Sequence, residues 1–220
     1  CLELAKKNKC KLIFFSSSEI YGDPHISQIP IKEDYRGNVS TMGPRACYDE
    51  SKRVGETLCY IYKQKFNLKI NIIRPFNVYG PGMGQKDYRI LPNFIDNILN
   101  KRKLKVYGTG RQTRTYCYIT DAMVGFLKVI INGIPGEVYN IGNSKPEISV
   151  YDLFKLLEKI YPKKIYYKKI NYPSSYPEDE PQRRCPNISK AKKQLNFRPK
   201  VKLENGLKNF IEWAKHNYSF

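Results

Sequence analysis

The hydrophobic pattern of the first third of the chain predicts a short strand, a polar loop, a long helix and a second strand. Residues 2–8 predict the end of a helix, and KLIFF at 11–15 predicts a strand buried on both faces. A polar segment rich in Gly and Pro follows to about Arg45, and an apolar stripe then predicts a helix over about 46–66. KINIIRP at 69–75 predicts the next buried strand.

Shorter apolar segments alternate along the rest of the chain. They predict helices near 89–100, 120–131, 150–160, 189–195 and 204–216 and strands at 104–108 and 137–142. A basic aromatic stretch at 161–172 and a Pro-rich loop at 172–186 lie between the predicted helices at 150–160 and 189–195. Because strands alternate with helices, the pattern indicates a doubly wound α/β sheet with right-handed crossovers. Such a sheet binds ligands beyond the carboxyl ends of its strands.

Composition restricts the class of protein without deciding its function. The chain has 220 residues, of which 41% are hydrophobic and 27% are charged, as in ordinary globular proteins. Its apolar runs are far too short to span a bilayer. The six cysteines show no metal-ligand spacing and there are two histidines, so we expect reduced thiols, a cytoplasmic location, no metal and no membrane partner.

The net charge of the chain is strongly positive. Its 39 Lys and Arg residues and 20 Asp and Glu residues leave a formal charge of +19, which would suit nucleic acid or a smaller phosphorylated ligand. A nucleic-acid-binding protein would depend on the basic aromatic stretch YPKKIYYKKINY. Lysines are spread through every segment together with Ile, Asn and Tyr, a pattern typical of compositional drift. We therefore expect no nucleic-acid partner.

Two Tyr-x-x-x-Lys pairs occur, Tyr48 with Lys52 and Tyr151 with Lys155, and composition alone explains that number. Their surroundings differ. Tyr48 and Lys52 share one face of the helix between the two buried strands, and the first of these strands ends in SSSE at 16–19. No serine-rich strand end precedes Tyr151, whose helix has an ordinary apolar stripe. The first pair is therefore the candidate for catalysis.

A tyrosine beside a lysine can act as a general base. Tyrosine ordinarily titrates near pH 10, so work at neutral pH requires the phenolate to be stabilised by about three pH units, or roughly 4 kcal/mol. A lysine ammonium one helical turn away supplies part of this stabilisation. A serine hydroxyl that faces the phenol holds it in line with a substrate hydroxyl. Such a base typically contributes about 10²- to 10⁴-fold in rate.

The order of these motifs resembles that of the extended short-chain dehydrogenase/reductases that act on nucleotide sugars. The resemblance rests on SSSE and YG after the first strand, YDESK on the helix and RPFNVYGPG after the second strand. Within that group, SEIYGDP, GPRACYDESKRVGET, YGTGRQTRTYCYITD and DEPQRRCPNISKAK are most similar to UDP-glucuronate decarboxylases, which make UDP-xylose. The resemblance implies the C-terminal part of a Rossmann-like NAD-binding domain over 1–85, with returns near 115–142, and a smaller mixed α/β substrate-binding domain over 86–220.

The resemblance also implies a role for each matching residue. The implied catalytic residues are Ser17, Glu19, Tyr48, Lys52 and Arg114, with Tyr48 as the base and Lys52 on the nicotinamide ribose. Contacts with the cofactor NAD are implied for Ser17, Tyr48, Lys52, Pro75, Asn77 and Val78. Contacts with a nucleotide-sugar substrate are implied for Ser18, Asn77, Arg89, Tyr107, Gln112, Arg114 and Arg183, with Arg184 as the alternative to Arg183 at a phosphate.

The implied reaction passes through a 4-keto sugar. Oxidation at C4 makes UDP-glucuronate a β-keto acid that loses CO₂, and the same NAD then reduces the ketone, so that no NADH is released. Related 4,6-dehydratases usually carry Asp-Glu where this chain has Ser18 and Glu19, and 4-epimerases commonly lack an acid at the position of Glu19. Decarboxylation is favoured, with 4-epimerisation or 4,6-dehydration as the alternative. An inactive fragment or a basic nucleic-acid-binding protein is the alternative of another class.

One part of the family pattern has no match in the sequence. The Gly-rich phosphate loop, and the acid about 20 residues after it, belong to a first βαβ unit. YGPGMG and YGTG are not followed by helices in the way that this loop requires. We expect that the first third of the usual enzyme is missing, that these residues alone bind little NAD and show no turnover, and that a longer chain is active. The resemblance further implies a homodimer formed through the helices at 2–8 and 46–66.

Overall fold

The structure, a computed structural model, describes residues 1–172 and 181–219. The helices are α1 (Leu2–Lys7), α2 (Ala46–Phe66), α3 (Ile90–Leu99), α4 (Ile119–Asn132), α5 (Val150–Ile160), α6 (Ser189–Leu195) and α7 (Leu203–Asn217). The strands are β1 (Leu12–Phe15), β2 (Ile70–Pro75), β3 (Val78–Tyr79), β4 (Leu104–Tyr107), β5 (Thr113–Thr115), β6 (Cys117–Tyr118), β7 (Val138–Ile141), β8 (Glu147–Ser149), β9 (Tyr167–Ile170) and β10 (Arg183–Arg184). Every predicted helix and strand is present. Part of the predicted Pro-rich loop, 173–180, lies outside the described residues, and its end forms β10.

The parallel sheet of β1, β2 and β7 is the centre of the N-terminal part of the fold. Leu12 pairs with Ile70, and Ile72 pairs with Val138, in parallel register. Apolar residues of α1 and α2 pack on one face of this sheet, and those of α4 and α6 pack on the other. Helices on both faces of parallel strands are the doubly wound α/β arrangement that the sequence pattern predicts.

β1 is less covered than its sequence predicts. Among the described strands, β1 is the edge strand of the central sheet, so only one of its edges is paired with another strand. Leu12, Ile13 and Phe14 are partly buried, and Phe15 is 42% exposed. The prediction of a strand buried on both faces is therefore wrong for β1. It holds for β2, whose residues before Pro75 are all buried.

The largest apolar core lies in the C-terminal part of the chain. Residues of α3, α5 and α7 pack around the parallel pair of β4 and β9, and Phe94, Leu104 and Phe210 are fully buried there. The basic aromatic stretch contributes β9 to this core, since the Tyr167 ring lies 4.6 Å from that of Phe154. Its aromatic residues thus have a packing role. The division of the chain into domains near residue 85 stays a prediction.

A buried arginine joins β2 to α2. Arg74 donates from Nε to Glu56 Oε1 at 2.9 Å and from Nη2 to Glu56 Oε2 at 2.5 Å. Its Nη1 donates to the Tyr21 hydroxyl at 2.6 Å, and that hydroxyl donates to Asn140 Oδ1 at 2.7 Å. Burial raises the pKa of Tyr21 to about 12, so the hydroxyl remains a neutral donor at physiological pH. This network holds α2, the loop after β1, β2 and β7 in one arrangement.

Glu56→Gln is expected to lower the free energy of unfolding by about 3–5 kcal/mol, because it leaves the Arg74 charge buried without its counter-ion. Urea denaturation followed by circular dichroism measures this change. The matched control is Glu204→Gln, which removes an exposed carboxylate 2.8 Å from Lys208 Nζ and should leave stability within error. Equal losses in the two variants would contradict the importance of the buried pair.

Candidate active site

The carboxyl ends of the central strands bring several predicted site residues to one edge of the sheet. β1 is followed by Ser17 and Ser18, and β2 is followed by Asn77. Ser17 caps a 3₁₀ turn over Ser18–Tyr21, and its Oγ accepts a hydrogen bond from the Glu19 backbone N–H at 3.2 Å. Ser18 is buried in this turn. The turn fixes the direction in which the Glu19 side chain leaves the sheet.

Tyr48 and Lys52 lie in the first turns of α2, beside the end of β1. Lys52 Nζ is 5.7 Å from the centre of the Tyr48 ring and donates to the Phe15 carbonyl at 3.0 Å. The helix approaches β1 closely here because Gly55 has no side chain, and a methyl group at that position would overlap the Phe14 ring. Tyr48 is 48% exposed, so its hydroxyl is accessible to a ligand.

The expected contact between Ser17 and Tyr48 is not formed in the described part of the chain. The Ser17 hydroxyl caps its own turn through the Glu19 N–H, and short hydroxyl side chains commonly bond to nearby backbone in this way. Ser17 and Tyr48 therefore belong to the same edge of the sheet without a direct hydrogen bond between them.

Glu19 is held by two arginines. Arg184 donates from Nη2 to Glu19 Oε2 at 2.8 Å, and its Nη1 contacts Oε1. Arg45, the residue before α2, contacts Glu19 Oε2 through its own Nη2. The Glu19 side chain is 17% exposed and that of Arg184 is 6% exposed, so Glu19 is a paired carboxylate and no solvated loop acid. Sequence reasoning did not include Arg45, although it lies one helical turn before Tyr48.

Three more cofactor contacts are predicted, at Pro75, Asn77 and Val78. They lie at the end of β2 and the beginning of β3. Pro75 ends β2, and Val78 begins β3. Asn77 lies between them with a φ of 42°, and its Nδ2 donates to the Thr115 carbonyl at 2.9 Å. This bond ties the end of β2 to β5, which carries Arg114.

Arg89 lies at the start of α3 and is paired with a nearby carboxylate. It precedes α3, and its Nε donates to both carboxylate oxygens of Asp87 at 3.0 Å. These bonds raise the pKa of Arg89 and lower that of Asp87.

Of the remaining predicted substrate contacts, Arg114 and Gln112 lie on or beside β5, whereas Tyr107 lies at the end of β4 in the separate β4–β9 pair. Arg114 and Arg184 are cross-strand partners in the sheet of β10, β5 and β8, and Arg114 Nη1 donates to the Thr113 and Gln182 carbonyls at 2.9 and 3.2 Å. The Gln112 carbonyl accepts from the Val150 N–H at 3.2 Å. Tyr107 stacks on Tyr172, with ring centres 5.9 Å apart.

Arg183 is directed toward a different carboxylate from Arg184. Its Nε and Nη2 donate to the two oxygens of Glu147, at 2.8 and 2.7 Å. The alternation of side chains along β10 separates the two arginines, because neighbouring residues of a strand point to opposite faces. Arg184 is thus the one that reaches the candidate site through Glu19, whereas a phosphate contact for Arg183 stays a prediction.

The second tyrosine–lysine pair is part of a packed helix. Lys155 Nζ donates to Glu158 at 3.1 Å, and the Tyr151 ring lies 6.3 Å from Phe154 and 6.1 Å from Tyr167. Neither residue follows the end of a parallel strand of the central sheet. These contacts agree with a structural role for the pair.

A family model described as the NAD dependent epimerase/dehydratase family matches residues 1–142. This segment includes β1, α2 and β2 and hence the Tyr48–Lys52 pair. The chain belongs to the NAD-dependent epimerase/dehydratase family. The match confirms the family that the sequence motifs predict.

Curated members of the family are similar along almost the whole chain. UDP-glucuronic acid decarboxylase 1 of Xenopus tropicalis is 39% identical over 214 residues, which are 97% of this chain and 49% of that protein. UDP-glucuronic acid decarboxylase 3 of Arabidopsis thaliana is 41% identical over 207 residues, which are 94% of this chain and 58% of that protein. The chain therefore spans about half the length of the curated relatives it matches.

Solved structures of family members have the same fold. The UDP-glucuronic acid 4-epimerase of Bacillus cereus, in complex with UDP-glucuronic acid and NAD, matches with a TM-score of 0.85 and 33% identity over 99% of this chain and 65% of that one. The UDP-glucose 4-epimerase of Thermotoga maritima, with UDP-glucose, matches with a TM-score of 0.84 and 28% identity over 99% of this chain and 68% of that one.

The residues present fit one end of an NAD molecule. Lys52 lies beside an exposed Tyr48 at the open end of β1, where a nicotinamide ribose could approach both. The pyrophosphate of NAD requires a Gly-rich turn at the start of a helix. The sequence of this chain contains no such turn. Within residues 1–172 and 181–219, no His, Cys, Asp and Glu cluster could hold a metal ion. No helix in those ranges is long and apolar enough to cross a membrane.

The Glu147–Arg183 pair is expected to make stability depend on acid pH. Hydrogen bonds from Arg183 lower the pKa of Glu147 below its ordinary 4.5, against the opposing effect of burial. A carboxyl group with a lowered folded pKa stabilises the fold above its unfolded pKa, and this contribution is lost as pH falls through the folded value. Glu147→Gln should be less stable than the unchanged chain at neutral pH, and the difference should shrink below about pH 4.5. Denaturation at a series of pH values measures it, and a constant difference would contradict the assignment.

Proposed function

We propose that this chain forms the proton-transfer and sugar-binding part of an NAD-dependent enzyme that converts UDP-glucuronate to UDP-xylose. The observation that carries this proposal is the Tyr48–Lys52 pair at the end of β1, with Glu19 on the turn beside it. The similarity to UDP-glucuronic acid decarboxylases over more than nine-tenths of the chain supports the choice of reaction.

Tyr48 is the proposed base for the sugar C4 hydroxyl. Its phenol is exposed, and the Lys52 ammonium beside it stabilises the phenolate that accepts the proton. NAD, when bound, supplies the hydride acceptor at C4 and later returns the hydride. The Phe15 carbonyl accepts a hydrogen bond from this ammonium and so holds it at the edge of the sheet.

Glu19 and Arg114 are proposed to act around the sugar carboxylate and ring. Once C4 is a ketone, the C5–C6 bond breaks, its electron pair forms an enolate at C4–C5, and CO₂ leaves. A proton then returns to C5. Asn77 and Arg89 are proposed contacts of the nucleotide diphosphate, since Asn77 directly follows the end of β2 and both positions match the family pattern. Pro75, Val78, Ser18, Tyr107 and Gln112 complete the proposed cofactor and substrate contacts.

Tyr48→Phe should abolish the formation of UDP-xylose, a loss of at least about 10²- to 10⁴-fold, because the variant has no group to accept the C4 proton. The assay uses a chain that also carries a dinucleotide-binding βαβ unit before Cys1, incubated with UDP-glucuronate and NAD⁺, with products identified by mass. Tyr151→Phe is the matched control and should keep full activity. A fully active Tyr48→Phe would refute the assignment of the base.

The second candidate is 4-epimerisation of UDP-glucuronate. It is favoured by the fold match to the Bacillus cereus 4-epimerase in complex with UDP-glucuronic acid. The same assay separates the two reactions, because an epimerase gives an isomer of unchanged mass and a decarboxylase gives a product lighter by CO₂. A stable 4-keto product would indicate an oxidising relative instead.

A homodimer and a cytoplasmic location are further parts of the proposal. The exposed side of α2 carries Val54 and Leu58, 54% and 43% exposed, and nearby Leu4 of α1 is 63% exposed. We expect a second copy to cover this apolar surface. Val54→Glu with Leu58→Glu should convert a dimer to a monomer in sedimentation velocity, and an unchanged sedimentation coefficient would contradict this interface.

A further inference from the structure

We propose that Arg45 recognises a carboxylate of the substrate, and that Glu19 occupies its guanidinium when no ligand is bound. This inference rests on the proposed function and deepens it. It names one residue that makes the site prefer a nucleotide-linked uronate to a neutral nucleotide sugar. The contacts of Glu19 are its starting point.

The two arginines on Glu19 differ in how deeply they lie. Arg184 approaches both Glu19 oxygens, and its side chain is 6% exposed. Arg45 contacts Oε2 through its Nη2, and its side chain is 22% exposed. Glu19 can therefore release Arg45 while it keeps its bonds to Arg184, and the group that becomes available is the one nearer the solvent.

A second carboxylate keeps Arg45 in position during such an exchange. Its Nε lies 3.7 Å from Asp49 Oδ2, one turn along α2, and the Asp49 side chain is 4% exposed. The guanidinium thus presents its Nε edge to Asp49 and its Nη2 to Glu19. Tyr48 lies three residues after Arg45. The guanidinium that Glu19 releases is therefore about one helical turn from the proposed base.

The chemistry of this position selects a planar anion. A guanidinium binds carboxylates through directed, charge-assisted hydrogen bonds, and Glu19 already shows that a carboxylate fits here. A sugar with a C6 carboxylate can replace Glu19 on Arg45, whereas a sugar with a C6 hydroxymethyl group cannot supply the charge. The exchange forms and breaks no covalent bond.

The test compares the affinities of UDP-glucuronate and UDP-glucose for the 220-residue chain by isothermal titration calorimetry. Arg45→Gln should weaken UDP-glucuronate about tenfold or more and leave UDP-glucose nearly unchanged. Arg45→Lys should keep part of the preference, because an ammonium retains the charge without the planar fork. The matched control is Arg198→Gln, an exposed arginine whose loss should change neither affinity.

Glu19→Gln gives the sharpest distinction. Because it removes the resident carboxylate, it should tighten the binding of UDP-glucuronate and leave that of UDP-glucose unchanged. A purely structural role for the cluster predicts weaker binding of both ligands in the Arg45 and Glu19 variants.

The proposal is overturned if Arg45→Gln weakens both ligands equally, if it keeps the full preference for UDP-glucuronate, or if Glu19→Gln weakens UDP-glucuronate. If Arg45→Gln melts below the assay temperature, Arg45→Lys carries the test, and an undiminished preference in it overturns the proposal. In each of these cases, the proposed function still stands if the unchanged chain binds UDP-glucuronate. No binding of either ligand by the unchanged chain and by Arg198→Gln overturns the proposed function and this inference with it.

Discussion

The ion pair between Arg74 and Glu56 is the interaction on which the arrangement of the candidate site depends. Arg74 is on the central strand, and Glu56 is on the helix that carries Tyr48 and Lys52. A second partner of Arg74, Tyr21, ends the turn that carries Glu19. One buried guanidinium thus sets the relative positions of Tyr48 and Glu19. Its desolvation is offset because the Glu56 carboxylate, the Tyr21 hydroxyl and the Glu33 carbonyl all accept hydrogen bonds from it.

Long elements and the proximity of Tyr48 to Lys52 could be predicted from the sequence, because both depend on local spacing. The α2 helix shows an apolar stripe, and a separation of four positions places Tyr48 and Lys52 about one turn apart in any helix. The strands β3, β6 and β10 could not be predicted, since two residues carry no periodic signal and their pairing depends on the tertiary fold. The half-exposed state of β1 likewise depends on its neighbours and not on its own apolar sequence.

The partners of Glu19 illustrate the same limit within the site. Arg184 is 165 positions away in the chain, so only the fold brings the two side chains together. The sequence favoured neither Arg183 nor Arg184, because two adjacent arginines look alike until the strand direction separates their faces. Arg45 is local to Tyr48, yet its partner could not be predicted without the turn that begins at Ser18.

The positive charge of the chain is divided between two kinds of residue. Four arginines contact carboxylate or carbonyl oxygens in and around the candidate site, namely Arg45, Arg89, Arg114 and Arg184. Lysines such as Lys168 and Lys169 on β9 are exposed. Arginine has a fixed fork that suits phosphate and carboxylate oxygens, whereas lysine is a mobile point charge. The net charge alone thus says less about ligands than the placement of the guanidinium groups.

The open edge of β1 has a practical consequence for handling the protein. Among the described strands, β1 is paired along one edge only, and its four apolar residues end in the exposed Phe15, so the other edge is a template to which a strand from another molecule can add. Self-association through this edge would grow with concentration and would resist salt, unlike contacts driven by charge. Dilute solutions and a charged substitution at Phe15 are therefore the means by which the isolated chain is kept monodisperse.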